Sequence, residues 1–315
     1  MTSDLVYLFP GQGSQRVGMG GQLLTELPHG PLPGLWDLAE SLGGLPIRKL
    51  CLEGPIEELT RTDAAQPALF TVGVALAGAA RGMGLEAGQV AGHSVGEWTA
   101  AVVAGALPVD EGLRLVIARG RLMARVQVDR PGSMAAISGL DADRLNELCA
   151  SVAPVGTVVI SNYNSPTQLV VAGEVAAVER LLELATAGGA EQATRLPVGA
   201  AFHSPLMEPV RDAMAELIDA TTFANPTVPV LANATGAAVT TAAALKQALI
   251  DQVASPVRWT ECVRTFVAAG ARRTLELGPG RVLTGISRQT EPDLSSVAAD
   301  SVEKLRKAGD VFAGA

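Results

Sequence analysis

The sequence predicts an α/β fold in which a smaller β-α-β-β-α-β unit interrupts a larger body of strands and helices. Three observations predict it. Short continuous apolar runs such as Leu5-Val6-Tyr7-Leu8-Phe9 read as strands covered on both faces, and they alternate with helix-length segments. Two such runs end in glycine-rich turns, Pro10-Gly11-Gln12-Gly13-Ser14-Gln15 and Gly92-His93-Ser94-Val95-Gly96, and α/β proteins place their sites at turns of this kind. From Gly132 to Val198 the pattern shifts to short strands paired with two helices.

In chain order, the Leu5–Phe9 strand meets its glycine turn and a helix from Gly18 to Leu27. Residues 28–60 are rich in Pro and Gly, with helical pieces at Leu35–Leu42 and Pro46–Cys51 and with His29 in an exposed loop. A long helix reaches Gly82, and Val90-Ala91 is a strand. A small-residue helix runs from Val95 to Ala106, and another from Val109 to about Val128. The interrupting unit reads as strand Met134–Gly139, helix Asp141–Ser151, strand Thr157–Asn162, strand Gln168–Gly173, helix Glu174–Gly188 and strand Ala193–Val198. That is the order of a ferredoxin-like subdomain. It is expected to span residues 132–198 as a lid or wall beside the Gly92–Gly96 turn, with the site in the cleft between and with 1–131 and 199–315 forming the large domain. Beyond it come a helix Pro205–Ala220, a strand Val228–Leu231, a helix Ala242–Val253, a helix from Trp259 to Ala269 and a strand Thr274–Leu277. A frayed tail helix follows from about Ser301.

Composition narrows the function classes. A chain of 315 residues with 48% hydrophobic and only 3% aromatic residues builds its core from Ala, Val and Leu. A net charge of −8 argues against a nucleic-acid partner, which calls for a basic face. Mean hydropathy is high at +0.28, yet the best candidate span, Ala68–Ala80, is too short for a membrane. Met1-Thr2-Ser3-Asp4 lacks the basic start of a signal peptide. Cys51, Cys149 and Cys262 are widely spaced, so neither a disulfide framework nor a metal site is expected. The expectation is a cytoplasmic protein without a permanently bound cofactor.

Gly92, Ser94 and Gly96 form Gly-x-Ser-x-Gly between a strand and a helix. A serine hydroxyl is a weak nucleophile until a base can take its proton, and a sharp strand-to-helix turn presents it if its neighbours are small. The turn after Phe9 lacks the Lys-Ser/Thr of a P-loop and the third glycine of a dinucleotide fingerprint, so backbone amides offered to an oxyanion fit it better than a nucleotide. Of three histidines, His93 adjoins Ser94 and diverges from it, and His29 lies in a Pro-Gly loop. His203 therefore remains as the base, with a core histidine capping the next helix as the alternative. No Asp or Glu stands out to orient it; a backbone or amide carbonyl could. Arg114, Arg121 and Arg125 share one face of their helix, whereas Arg119 falls off that face and could point inward.

Seven motifs in fixed order carry a resemblance: Gly11-Gln12-Gly13-Ser14-Gln15, Gly92-His93-Ser94-Val95-Gly96-Glu97, Arg119-Gly120, Asn162-Tyr163-Asn164-Ser165-Pro166, Ala201-Phe202-His203-Ser204, Ser255-Pro256-Val257-Arg258-Trp259 and Leu277-Gly278-Pro279-Gly280. Over roughly residues 5–290 the chain resembles malonyl-CoA:acyl-carrier-protein transacylases, including the free-standing acyltransferases of polyketide synthases. The resemblance implies an α/β-hydrolase-like large domain with an inserted ferredoxin-like subdomain. It implies a Ser94–His203 dyad, with His203 oriented by the main-chain carbonyl of Gln252, and an oxyanion hole made by the amides of Gln12 and Val95. It further implies Arg119 as partner of a malonyl carboxylate, Phe202 as the ring that fills the space of an α-methyl group, and Gly11, His93 and Asn164 as substrate-contacting positions.

The substrates implied are an acyl-CoA and the phosphopantetheine thiol of an acyl carrier protein. Val95, Trp98 and Ala200-Ala201 depart from the commoner residues and are expected to reshape the acyl pocket. The competing readings are a thioester hydrolase acting on carrier proteins, a malonyl transacylase subunit of a malonate decarboxylase, and a non-catalytic carrier-docking module. Carrier proteins are acidic, so a basic patch is expected at the cleft mouth, with Arg258, Arg272, Arg273 and Arg281 as candidates.

Overall fold

A computed structural model describes residues 3–314. Met1 and Thr2 of the N-terminal stretch lie outside the described residues. Leu5–Phe9 forms β1, buried at every position. Helices α1 (Gly21–Glu26), α2 (Leu32–Gly43), α3 (Ile47–Glu53) and α4 (Ile56–Thr60) lead into α5 (Thr62–Gly82). Next come β2 (Gln89–Gly92), α6 (Val95–Val103) and α7 (Val109–Asp129). A second set follows: β3 (Ser133–Ser138), α8 (Ala142–Val152), β4 (Val158–Ser165), β5 (Gln168–Gly173), α9 (Val175–Ala187) and β6 (Gln192–Arg195). The remainder is α10 (Glu208–Asp219), β7 (Val230–Leu231), β8 (Ala238–Val239), α11 (Ala242–Gln252), α12 (Trp259–Ala268), β9 (Arg273–Leu277), α13 (Val282–Thr290), β10 (Ser295–Ala299) and α14 (Val302–Ala313).

Two sheets result. The larger has the order β10-β9-β1-β2-β7-β8 and is parallel apart from the β7–β8 pair. The period of two in β1 explains its double cover. Leu5, Tyr7 and Phe9 enter a core with Trp36, Phe70 and Trp98, while Val6 and Leu8 enter another with Trp259 and Phe266. The smaller sheet, β4-β5-β3-β6, is antiparallel. Ala135, Ile137 and Val171 on one face pack with Leu145 of α8 and Leu181 of α9. Met134, Val170 and Ala172 on the other join the large core. Backbone bonds from Tyr163 N to Val257 O (2.9 Å) and from Val257 N to Ser161 O (2.8 Å) tie the two sheets' surroundings together. Among the described residues no helix is long and apolar enough to cross a membrane.

Some expectations are corrected. The tail helix α14 is not frayed: Val302, Leu305, Ala308 and Phe312 are buried, and Ser301 and Glu26 accept hydrogen bonds from its first amides. Helix α13 and strand β10 occupy a stretch in which the sequence suggested no element. The Val95 helix ends at Val103, because Gly105 turns the chain with φ 76°. The Pro205 helix divides into a 3₁₀ turn, Pro205–Met207, and α10.

Candidate active site

The parallel register sets Phe9 opposite Gly92, so the loops after β1 and β2 leave the same edge of the sheet. Ser94 sits between β2 and α6 with φ 53° and ψ −112°, a conformation that strains any residue with a Cβ. The flanking glycines are obligatory here. A Cβ on Gly92 would lie 1.9 Å from the Gly96 carbonyl carbon, and one on Gly96 would lie 2.0 Å from Phe9 O. Three bonds hold the strained serine. Asn233 Oδ1 accepts from Ser94 N at 2.7 Å, Asn233 Nδ2 donates to Gly92 O at 2.7 Å, and Gln252 Nε2 donates to Ser94 O at 2.8 Å.

The hydroxyl of Ser94 lies 2.7 Å from His203 Nε2, and His203 Nδ1 lies 2.9 Å from the backbone oxygen of Gln252. A carbonyl only accepts, so Nδ1 carries the proton and Nε2 presents its lone pair to the serine. The third member is thus a main-chain carbonyl. Burial, with the charge of Arg119 second, pushes His203 down to about 3, so the ring is neutral and competent as a base.

Arg119 of α7 points inward and is 1% exposed, while Arg114, Arg121 and Arg125 are exposed. Its Nη1 donates to Gln66 Oε1 at 2.8 Å, and its Nη2 donates to Ser94 Oγ and Gln252 Oε1, both at 3.1 Å. All three partners are uncharged, and Nε has no partner among the described residues. Burial lowers its pKa to about 10, which leaves it cationic at neutral pH. A buried cation with only uncharged hydrogen-bond partners, beside a serine hydroxyl, is suited to receive an anion.

The remaining predicted residues surround this centre. The amides of Gln12 and Val95 have no acceptor among the described residues, and the Gln12 side chain turns away to Thr62 Oγ1 at 3.1 Å. A Cβ on Gly11 would lie 2.7 Å from His93 O, so the two loops touch backbone to backbone. His93 turns from its neighbour: its Nε2 lies 3.0 Å from Asn164 Oδ1 on β4. Burial lowers its pKa too. Phe202 is 7% exposed and precedes His203 directly. Trp98 is fully buried and donates to Gln252 Oε1 at 3.2 Å.

Asn233, Gln66 and a role for Glu97 are absent from the sequence reading. Asn233 follows a buried strand at the edge that carries Ser94, and a polar residue in that position was the available signal. Gln66 is a buried polar residue near the start of the long, mostly apolar helix α5. The four arginines of the predicted basic patch divide between the two edges of the sheet. Arg273 begins β9 at the opposite edge of the sheet, pairs with Asp4 and covers the Phe312 ring, with Arg272 beside it. Arg258, whose backbone amide donates to Asn233 O at 2.9 Å, pairs with Glu261 at 3.5 Å and stacks over Tyr163, and Arg281 is exposed in the loop after β9. Among the described residues no group of three His, Cys, Asp or Glu is placed to hold a metal ion.

The family model described as acyl transferase domain matches residues 6–312. The chain belongs to the acyl transferase domain family. Among relatives of this acyl transferase, the malonyl CoA-acyl carrier protein transacylase of Bacillus subtilis is 37% identical over 97% of this chain and 96% of its own. A crystal structure of an acyl carrier protein S-malonyltransferase from Vibrio cholerae superposes with a TM-score of 0.92 at 38% identity, covering 97% of this chain and 99% of that one. A malonyl-transacylase in complex with its type II polyketide synthase acyl-carrier protein gives a TM-score of 0.93 at 37% identity, covering 97% and 99%. The mixed α/β architecture of the acyl transferase is the one these solved structures share.

Proposed function

We propose that this acyl transferase moves a malonyl or closely related dicarboxylic acyl group from coenzyme A to the phosphopantetheine thiol of an acyl carrier protein. The observation that carries the substrate class is Arg119, a buried guanidinium 3.1 Å from Ser94 Oγ whose partners are all uncharged. A malonyl carboxylate supplies the missing anion and accepts a bidentate fork. A neutral acyl chain would leave the cation as it is.

Ser94 Oγ attacks the thioester carbon while His203 Nε2 takes its proton. The amides of Gln12 and Val95 are the donors for the tetrahedral oxyanion. Collapse expels the coenzyme A thiolate, which receives the proton from His203. The carrier thiol then gives its proton to His203 and attacks the acyl-serine; collapse breaks the bond to Ser94 Oγ, which takes the proton back from His203, and the acyl group leaves as the carrier's thioester. Phe202 fills the space of an α-methyl, which favours malonyl over methylmalonyl, and Gly11, His93 and Asn164 border the acyl path. No resident cofactor enters these steps.

The α/β-hydrolase-like large domain is assigned to residues 1–131 and 199–315, and the ferredoxin-like subdomain to 132–198; the β-α-β-β-α-β order and the 4-stranded sheet support this division. The cytoplasm, where acyl carrier proteins and coenzyme A esters meet, is the proposed location.

The test is intact-protein mass after brief exposure to malonyl-CoA, methylmalonyl-CoA and acetyl-CoA. A malonyl adduct is expected on the native protein, absent from Ser94→Ala and discharged by a carrier protein bearing its phosphopantetheine arm. An adduct retained by Ser94→Ala, or equal labelling by acetyl-CoA, refutes the assignment.

A further inference from the structure

We propose that Glu97 is a positioning residue for this acyl transfer: one oxygen of its carboxyl group ties Gln252 to Asn233, and through them it fixes both base and nucleophile. The inference rests on the acyl-transfer function proposed above. Glu97 lies on α6, one turn past Ser94, and is completely buried. Its Oε2 accepts from Gln252 Nε2 at 2.6 Å and from Asn233 N at 3.1 Å. Each donor holds the catalytic pair elsewhere. Gln252 orients His203 with its backbone oxygen and binds Ser94 O with its amide. Asn233 grips Ser94 N and Gly92 O. Two segments more than a hundred residues beyond the elbow are thereby clamped to its helix at one atom.

The clamp works as an uncharged acid. Oε1 is buried and has no partner among the described residues, so an anion would leave half its charge bare. Burial, opposed by the bonds from Gln252 and Asn233 and by the charge of Arg119, raises the carboxyl pKa to about 8. The ionisable groups whose charge is felt at Glu97 are Arg119 on α7 and Cys262 on α12, and burial holds the Cys262 thiol neutral. The neutral state matters for specificity. An anion at Glu97 would match the Arg119 charge internally and weaken its pull on the substrate carboxylate; the acid leaves that charge for malonyl.

The experiment follows acylation of the native protein, Glu97→Gln, Glu97→Leu and Ser94→Ala by rapid quench and intact mass, with malonyl-CoA from pH 6 to 9.5. Thermal melts run alongside. Glu97→Leu keeps the volume but removes the acceptor, and its maximal acylation rate should fall about 10- to 100-fold with little change in the malonyl-CoA concentration for half-maximal rate. Glu97→Gln, a neutral group with an acceptor oxygen, should recover the rate to within about threefold of native.

The native protein should lose acylation efficiency as pH rises through about 8, and Glu97→Gln should not. Infrared spectra should contain a protonated-carboxyl band in the native protein that Glu97→Gln lacks. A folded Glu97→Leu with native rates overturns the clamp. Identical pH profiles and spectra for native and Glu97→Gln overturn the uncharged acid, and this comparison holds even where the Leu variant fails to fold. Labelling of Ser94→Ala would instead refute the acyl-transfer function itself.

Discussion

Replacing Arg119 by Met should abolish malonyl selectivity and leave the fold as stable as before, or more so. The depression of the guanidinium pKa from 12.5 to about 10 places the burial cost of its charged form at about 3 kcal/mol. Methionine removes that cost with similar bulk. The loss on the other side is one donor to Gln66 Oε1, worth about 1–3 kcal/mol, because Gln252 Oε1 keeps the bond from Trp98. The net lies between about 0 and 2 kcal/mol of stabilisation, so the melting temperature should hold or rise by a few degrees.

Function moves the other way. Two charge-assisted bonds to malonyl, each about 1.5–3 kcal/mol, vanish from the acylation transition state, which predicts a fall of roughly 10²- to 10⁴-fold in kcat/KM. Acetyl-CoA, which has no carboxylate to offer, should be unaffected or improved. Single-turnover acylation by each thioester, read by mass, supplies the ratio, and a thermal melt supplies the stability. A malonyl-to-acetyl preference within about threefold of native would refute the anion-receptor reasoning. A melting temperature lowered by more than about 4 °C would show that the guanidinium holds the core together instead.

Three further outcomes follow from the geometry. Since His203 is held neutral down to about pH 3, acylation should show no inflection near the usual imidazole value of 6.5. The unfolded imidazole binds a proton below 6.5 and the folded one does not, so stability should fall as pH drops from 6.5 towards 3, by roughly 4–5 kcal/mol at most. Urea titrations of native protein and His203→Asn check this: the variant should have the shallower dependence. Gly96→Ala, whose Cβ would stand 2.0 Å from Phe9 O, should lose acylation and at least about 3 kcal/mol of stability. Gly78→Ala, exposed on α5 with nothing within 4 Å, should stabilise by about 0.5–1 kcal/mol, and chemical denaturation of both tests the contrast. Asn233→Ala should lower the maximal acylation rate about 10- to 100-fold with little change in KM, because it frees the strained elbow without touching substrate; stopped-flow acylation measures the split.

Local chemistry explains which features were legible in the sequence. The continuous apolar runs marked β1 and β2, the Thr274–Leu277 stretch ahead of Gly278-Pro279-Gly280 marked β9, and the strand–glycine–serine–glycine–helix pattern marked the elbow, because burial and steric room are properties of neighbouring residues. Arg119 was legible as the odd member of its helix face. Strand β10, Ser295–Ala299, is half-buried and short of large apolar residues, so it carries no strand signal of its own. It forms because β9 offers it an edge. Asn233 and Gln66 act only through partners 139 and 53 residues away, and no local pattern encodes such partnerships. The Trp98 indole N–H likewise acts at long range, donating to Gln252 Oε1, 154 residues along the chain.

The nucleophile and its supports are far apart along the chain: Ser94 waits 109 residues for its base and 158 for the residue that orients it. During synthesis, the serine elbow leaves the ribosome long before His203, Asn233 and Gln252 exist. A growing chain therefore carries Ser94 without the imidazole that the proposed mechanism gives it as base. Under the proposed mechanism, reactivity requires a chain made past Gln252 and closed around the elbow, so labelling of Ser94 also reports that this closure has taken place.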